Sequence, residues 1–164
     1  MTSTERPTLT VNESMQMAWR HYQAGSRENA RMISLRVLQV ARDNPDALHL
    51  LGVLAYEVNN QPMAIKLLTQ ALRTAKKYAP LHGNLALAKL AAGDLAGAAT
   101  SARKAFALSP GYADAHRVLG IVHRHKGRLQ EALQEFERAR ALGLDTPQLE
   151  TMLRETREQL GAQP

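Results

Sequence analysis

The sequence predicts an all-α protein, an α-solenoid of four helical hairpins closed by a capping helix, and three observations carry that expectation. Small and apolar residues recur with a spacing of 34 through four consecutive blocks. A Gly or Asn falls near the middle of every block, where a helix has to stop and reverse. Aromatic residues are only 4% of the chain while apolar residues are 45%, so the core is built of Ala, Leu, Val and Met. That suits close-packed helices better than β-sheet, whose strands favour branched and aromatic side chains.

The blocks are 11–44, 45–78, 79–112 and 113–146, and five columns run through them in phase. Ala18, Gly52, Ala86 and Gly120 form one small column, and Ala30, Ala64, Ala98 and Ala132 form another. Small side chains on both helices of a hairpin let the axes approach closely. Met17, Leu51, Leu85 and Leu119 fill the adjoining groove, and Val37, Ala71, Ala105 and Ala139 continue the second helix. The turn column is Gly25, Asn59, Gly93 and Gly127, the residue types that tolerate a left-handed C-cap. Ser26, Asn60 and Asp94 follow as N-caps of the second helix, whereas Arg128 breaks the rule in the fourth block.

The boundaries are also marked. Thr10-Val-Asn-Glu13 is a capping box that opens the first helix. Pro45, Pro80, Pro110 and Pro147 fall between hairpins, in loops or first helical turns. Residues 1–10 are expected to be a flexible N-terminal segment, and the repeat domain to cover 11–160. From Pro147 the tail places Leu149, Met152, Leu153, Thr156 and Leu160 on one face, as a capping helix over 147–160 must to cover the last hairpin and turn a polar face outward.

Composition narrows the function. The chain of 164 residues has no cysteine, which excludes disulfides, thiol nucleophiles and thiolate metal sites within it. The N-terminus has no apolar run of the secretory kind, and no stretch reaches the roughly 20 apolar residues of a membrane span. A cytoplasmic protein without membrane insertion is the expectation. The net charge of +6 is spread as +2, +2, +2 and +1 over the four blocks, with −1 in the tail. No basic run marks a nucleic-acid footprint, so nucleic acid is the least favoured partner.

These columns resemble the tetratricopeptide repeat (TPR), a helix–turn–helix of 34 residues, over residues 11 to about 160. The likeness is strongest at Leu51-Gly52, Ala64 and Ala71, and at Leu119-Gly120, Gly127, Ala132, Phe136 and Ala139. The common tryptophan of the family's first helix is replaced by Ser14, Leu48, His82 and His116, and Ser34 and Val37 depart from the pattern in the first block. The resemblance implies a right-handed solenoid that binds proteins. The segment Asn44-Pro-Asp-Ala-Leu-His-Leu-Leu-Gly-Val-Leu-Ala55 also looks like the opening repeat of TPR arrays fused to bacterial sulfotransferases and O-linked glycosyltransferases. No catalytic domain is expected to follow it in this chain, so the resemblance implies no transferase activity here.

In such arrays the first helix of each hairpin lines a concave groove. The resemblance puts Met15, Trp19, Tyr22, His49, Val53 and Tyr56 there in the first two blocks, then Gly83, Asn84, Leu87 and Leu90, then Arg117, Ile121, Arg124 and His125. An aromatic and apolar half followed by a basic half suits an extended segment or helix with apolar anchors and a carboxylate or phosphate. The clamp by which some TPR domains hold acidic chaperone tails is not matched, since His49, Val53, Asn84, Asp114 and Val118 occupy its places. The asparagine ladder of O-linked glycosyltransferase arrays falls on Gln16, Leu50, Asn84 and Val118 and is not matched either.

No catalytic residues, cofactor or metal are expected. His123 and His125 lie on different helix faces, and His82 and His116 occupy a packing column, where a hydrogen-bonded imidazole is expected. Glu131, Glu135 and Glu137 look like a solvated helix face. Gly93 and Gly97 lack the lysine and the preceding strand of a phosphate loop. The sequence therefore points to a non-catalytic adaptor for a protein or peptide, with self-association compatible with it. A dissociable recruiting subunit for a separate transferase is the alternative, and a nucleic-acid binder the third.

Overall fold

A computed structural model describes residues 9–162, and among them the only regular elements are nine α-helices. They are α1 (Val11–Gln23), α2 (Arg27–Val40), α3 (Pro45–Glu57), α4 (Gln61–Thr74), α5 (Ala79–Ala91), α6 (Leu95–Leu108), α7 (Ala113–His125), α8 (Leu129–Ala141) and α9 (Pro147–Gly161). Successive helices pair as hairpins α1–α2, α3–α4, α5–α6 and α7–α8, and α9 packs on α8. The chain divides into two compact units, the first ending at Thr74 and the second beginning at Ala75.

The turns follow the sequence column. Gly25, Gly93 and Gly127 have φ of 80°, 80° and 70°, and Asn59 reaches 58°, so each first helix ends in the left-handed conformation. Thr10 and Glu13 form the reciprocal capping box, with the Thr10 amide donating to Glu13 Oε2 at 2.8 Å and the Glu13 amide to Thr10 Oγ1 at 3.2 Å. Asp94 accepts from the Gly97 amide at 2.8 Å, and Asn60 from the Met63 amide at 3.2 Å. Ser26, expected to cap α2, makes no side-chain cap bond. The expected flexibility of residues 1–10 concerns, for residues 1–8, positions outside the described ones.

Both small columns are completely buried where the helices of a hairpin meet: Ala30, Ala64, Ala98 and Ala132 on the second helices, Ala18 and Ala86 on the first. The glycines in the latter column have a specific cause. A Cβ on Gly52 would sit 2.8 Å from Leu68 Cγ, and one on Gly120 2.5 Å from the Phe136 ring. One period away from each, the pairs are Ala18 with Ser34 and Ala86 with Ala102. Glycine appears where the facing residue is large, and alanine where it is small.

In the first unit the core gathers Met15, Ala18, Ala30, Val37, Leu50 and Leu54. In the second, Ala98, Ala102, Val118 and Val122 pack between α6 and α7, and Ile121, Phe136, Leu149 and Leu153 join α7, α8 and α9. The last helix thus buries Leu149, Leu153 and Thr156 and is a capping helix.

Candidate functional site

The first helices of the first unit bring three of the expected residues into one aromatic cluster. The Trp19 and Tyr22 rings meet edge-to-face at 5.6 Å, and Trp19 meets His49 from α3 at 5.2 Å. Tyr22 also donates its hydroxyl to Glu57 at 2.6 Å, and the Arg27 guanidinium binds Glu57 at 3.1 Å while lying 5.0 Å over the Tyr22 ring. Burial, reinforced by the bond to Glu57, pushes the Tyr22 hydroxyl up to about 12. Burial alone lowers His49 to about 4, so its ring is neutral at physiological pH.

Beside this cluster lies an open basin of about 680 Å³, lined by Asn12, Met15, Gln16, Trp19, Arg20, Gln23 and Asp46. It couples an indole and a thioether with three amide side chains and one charge of each sign. Such a surface can hold an apolar side chain while bonding the backbone around it. Val53 and Tyr56 are half-buried on α3. His49, by contrast, is only 5% exposed and lies outside the basin lining; its placement on an accessible groove surface needs correction, because it packs beneath Trp19. Met15, 3% exposed, forms part of the basin floor and packs into the core of the first unit.

In the second unit the expected residues serve different purposes. Leu87 and Leu90 are half-buried and pack on the Ala-rich core. Ile121 is buried with Phe136, Leu149 and Leu153, because α9 covers it, and it is not a surface residue. Arg117 binds Asp114 at 2.7 Å and Arg124 binds Glu155 of α9 at 2.9 Å, so both guanidinium groups have partners inside the fold. Asn84 is half-buried and His125 exposed. Gly83 is roofed by the Tyr112 ring, which occupies the place a Cβ would need.

The buried histidines are structural. His116 Nδ1 lies 2.7 Å from Glu135, a bond in which both side chains are largely buried, and His82 Nε2 lies 2.9 Å from the Lys76 carbonyl. Glu135 is therefore not part of a solvated face. The helical period alone did not show that it turns toward α7. Among the described residues no three His, Asp or Glu side chains gather as metal ligands, and no helix is long and apolar enough to cross a membrane. Asn12, Gln16, Arg20, Gln23 and Asp46 line the basin but were not among the expected site residues; the four on α1 recur at helical spacing along one face, which was the available signal.

Comparison with known proteins points the same way. The family model for the tetratricopeptide repeat matches residues 84–145. Tetratricopeptide repeat protein 36 of Bos taurus is 36% identical over 101 residues, covering 59% of this chain and 54% of that protein. The chain spans a little over half the length of the curated relatives it matches. A thermophilic TPR protein of Thermus thermophilus superposes with a TM-score of 0.75 at 21% identity, over 93% of this chain and 84% of that one. A mutant O-GlcNAc transferase from Thermobaculum terrenum gives 0.71 at 30% identity, over 84% of this chain and 27% of the transferase.

Proposed function

Since the chain belongs to the tetratricopeptide-repeat family, we propose that it is a non-catalytic adaptor that holds a peptide segment or helix of a partner protein on the face of its first helices. The observation that carries this reading is the basin around Trp19, where an aromatic anchor site is bordered by Asn12, Gln16 and Gln23 and by Arg20. Aromatic anchors surrounded by polar rims are where interfaces concentrate their affinity. The geometry also argues against catalysis, since the imidazoles of His49, His82 and His116 are buried in packing roles.

The test is to select peptides on the full chain from a displayed library and measure their affinity for Trp19→Ala and Arg20→Glu. Both variants should keep wild-type helicity and lose about tenfold or more in affinity, as expected for an aromatic anchor and a rim charge. Undiminished binding by both would place the site elsewhere. A second reading has its own observation, the 30% identity to an O-GlcNAc transferase over 27% of that protein. On that reading the basin recruits substrates for a separate transferase, and the chain should raise that enzyme's turnover of tethered substrates without acting on them alone.

A further inference from the structure

Behind the basin runs a chain of contacts that the repeat does not require. Trp19 and Tyr22 are three residues apart on α1, so their rings share a face and meet edge-to-face at 5.6 Å. The Tyr22 hydroxyl donates at 2.6 Å to Oε1 of Glu57, the last residue of α3. Arg27, the first residue of α2, closes the arrangement. Its Nε and Nη2 donate to the two Glu57 oxygens at 3.1 and 3.4 Å, and its Nη1 donates to the Tyr22 carbonyl at 3.4 Å.

The second unit does without this arrangement. Two periods on, the residues matching Tyr22, Arg27 and Glu57 are Leu90, Leu95 and His125, so the hydroxyl, the guanidinium and the carboxylate are all missing. Nor is the latch built mainly for stability. The Arg27 side chain is 51% exposed and that of Glu57 30%, and an ion pair so open to water contributes little to folding. Its consequence lies in what it orients.

Of these residues only Trp19 lines the basin. Its indole rests on two rings, His49 and Tyr22. An indole is held only as firmly as the rings it packs on. His49 is buried and fixed by its surroundings. Tyr22 is half-buried, and the bond to Glu57 ties down its outer end. Burial, and then that bond, push the Tyr22 hydroxyl up to about 12, so it keeps its donating proton throughout the neutral range.

We propose that Glu57 is a positioning residue of the basin: through the Tyr22 hydroxyl it holds the Trp19 indole in the orientation that receives a partner's anchor side chain. This rests on the reading of the basin as the partner site. Arg27 holds the carboxylate in turn, and neither residue has to touch the partner. A side chain already held in its bound orientation is not ordered again on binding, which is how preorganisation raises affinity.

The chain's single tryptophan gives a direct readout. In the free protein, time-resolved fluorescence anisotropy should show a larger fast component for Trp19 in Tyr22→Phe and in Glu57→Leu, each with wild-type circular dichroism. Glu57→Gln should leave it unchanged, because the carboxamide oxygen still accepts the hydroxyl proton. Peptides selected on the native chain should bind Tyr22→Phe and Glu57→Leu about threefold to tenfold more weakly, the factor that ordering one side chain on binding costs. Their affinity for Glu57→Gln should stay near the native value. In a Trp19→Ala background the Glu57→Leu loss should disappear, since no indole is left to position. A residue that only supported the fold would weaken binding equally in both backgrounds. Unchanged Trp19 anisotropy in Glu57→Leu, or a binding loss that survives Trp19→Ala, would overturn the proposal. Peptides that bind Trp19→Ala undiminished would instead overturn the reading of the basin, and the free-chain anisotropy then decides whether Glu57 holds the indole.

Discussion

Hairpins α3–α4 and α7–α8 occupy the same register, yet one is held by aliphatic packing and the other by an aromatic ring and a histidine–glutamate hydrogen bond. At the close approach, Gly52 faces Leu68 in the first unit and Gly120 faces Phe136 in the second. Where the first has Leu48 and Leu67, the second has His116 bound to Glu135 at 2.7 Å. The difference shows what the repeat prescribes. It dictates where helix axes approach and where the chain turns, and leaves the chemistry at each position to local volume and charge.

The largest effect should come from breaking the Gly120–Phe136 fit. Phe136 is fully buried, so Phe136→Ala should cost about 4 kcal/mol of the second unit's stability. Gly120→Ala drives a methyl into a ring that cannot yield and should cost about 2 kcal/mol, more than Gly52→Ala, where the obstacle is a flexible leucine. In the Phe136→Ala background the Gly120→Ala penalty should vanish, because the space is then open. Urea unfolding followed by circular dichroism measures all four. Equal costs for the two glycine variants would show that the facing side chain does not decide the choice.

Next comes the His116–Glu135 hydrogen bond. Glu135→Ala leaves His116 buried without its partner and should cost about 2 kcal/mol. Converting both positions to leucine, as the first unit has at Leu48 and Leu67, should restore stability to within about 1 kcal/mol of the original. If the double variant is as unstable as the single one, the pair supplies more than an apolar isostere can.

How far the sequence disclosed this follows from the same distinction. The hairpin helices and left-handed turns could be read because each answers to backbone geometry that recurs in every block, and the capping helix because its apolar residues keep to one face from Pro147. The fate of individual side chains could not. Met15, His49 and Ile121 lie on the expected helices but are buried, because burial there is set by neighbours that one helix's period does not contain: Trp19 for His49, α9 for Ile121. Ser26 has the right chemistry for a cap but no cap bond.

The smallest effect concerns the histidines. Burial holds the His49 ring down to about 4, well below the ordinary value near 6.5. A depressed folded-state value means that the unfolded chain binds the proton more readily. The stabilisation from neutral His49 is therefore complete above about pH 6.5 and is lost as pH falls from there toward 4. At pH 5 the loss should be about 2 kcal/mol, concentrated in the first unit that holds Trp19. The single tryptophan packs on this ring at 5.2 Å, so its fluorescence reports that unit directly. Urea midpoints read by Trp19 emission should fall between pH 7 and pH 5 in the native chain, and His49→Gln should flatten the slope. A slope that persists in His49→Gln would assign the acid sensitivity to another group of the first unit and leave His49 a packing residue only.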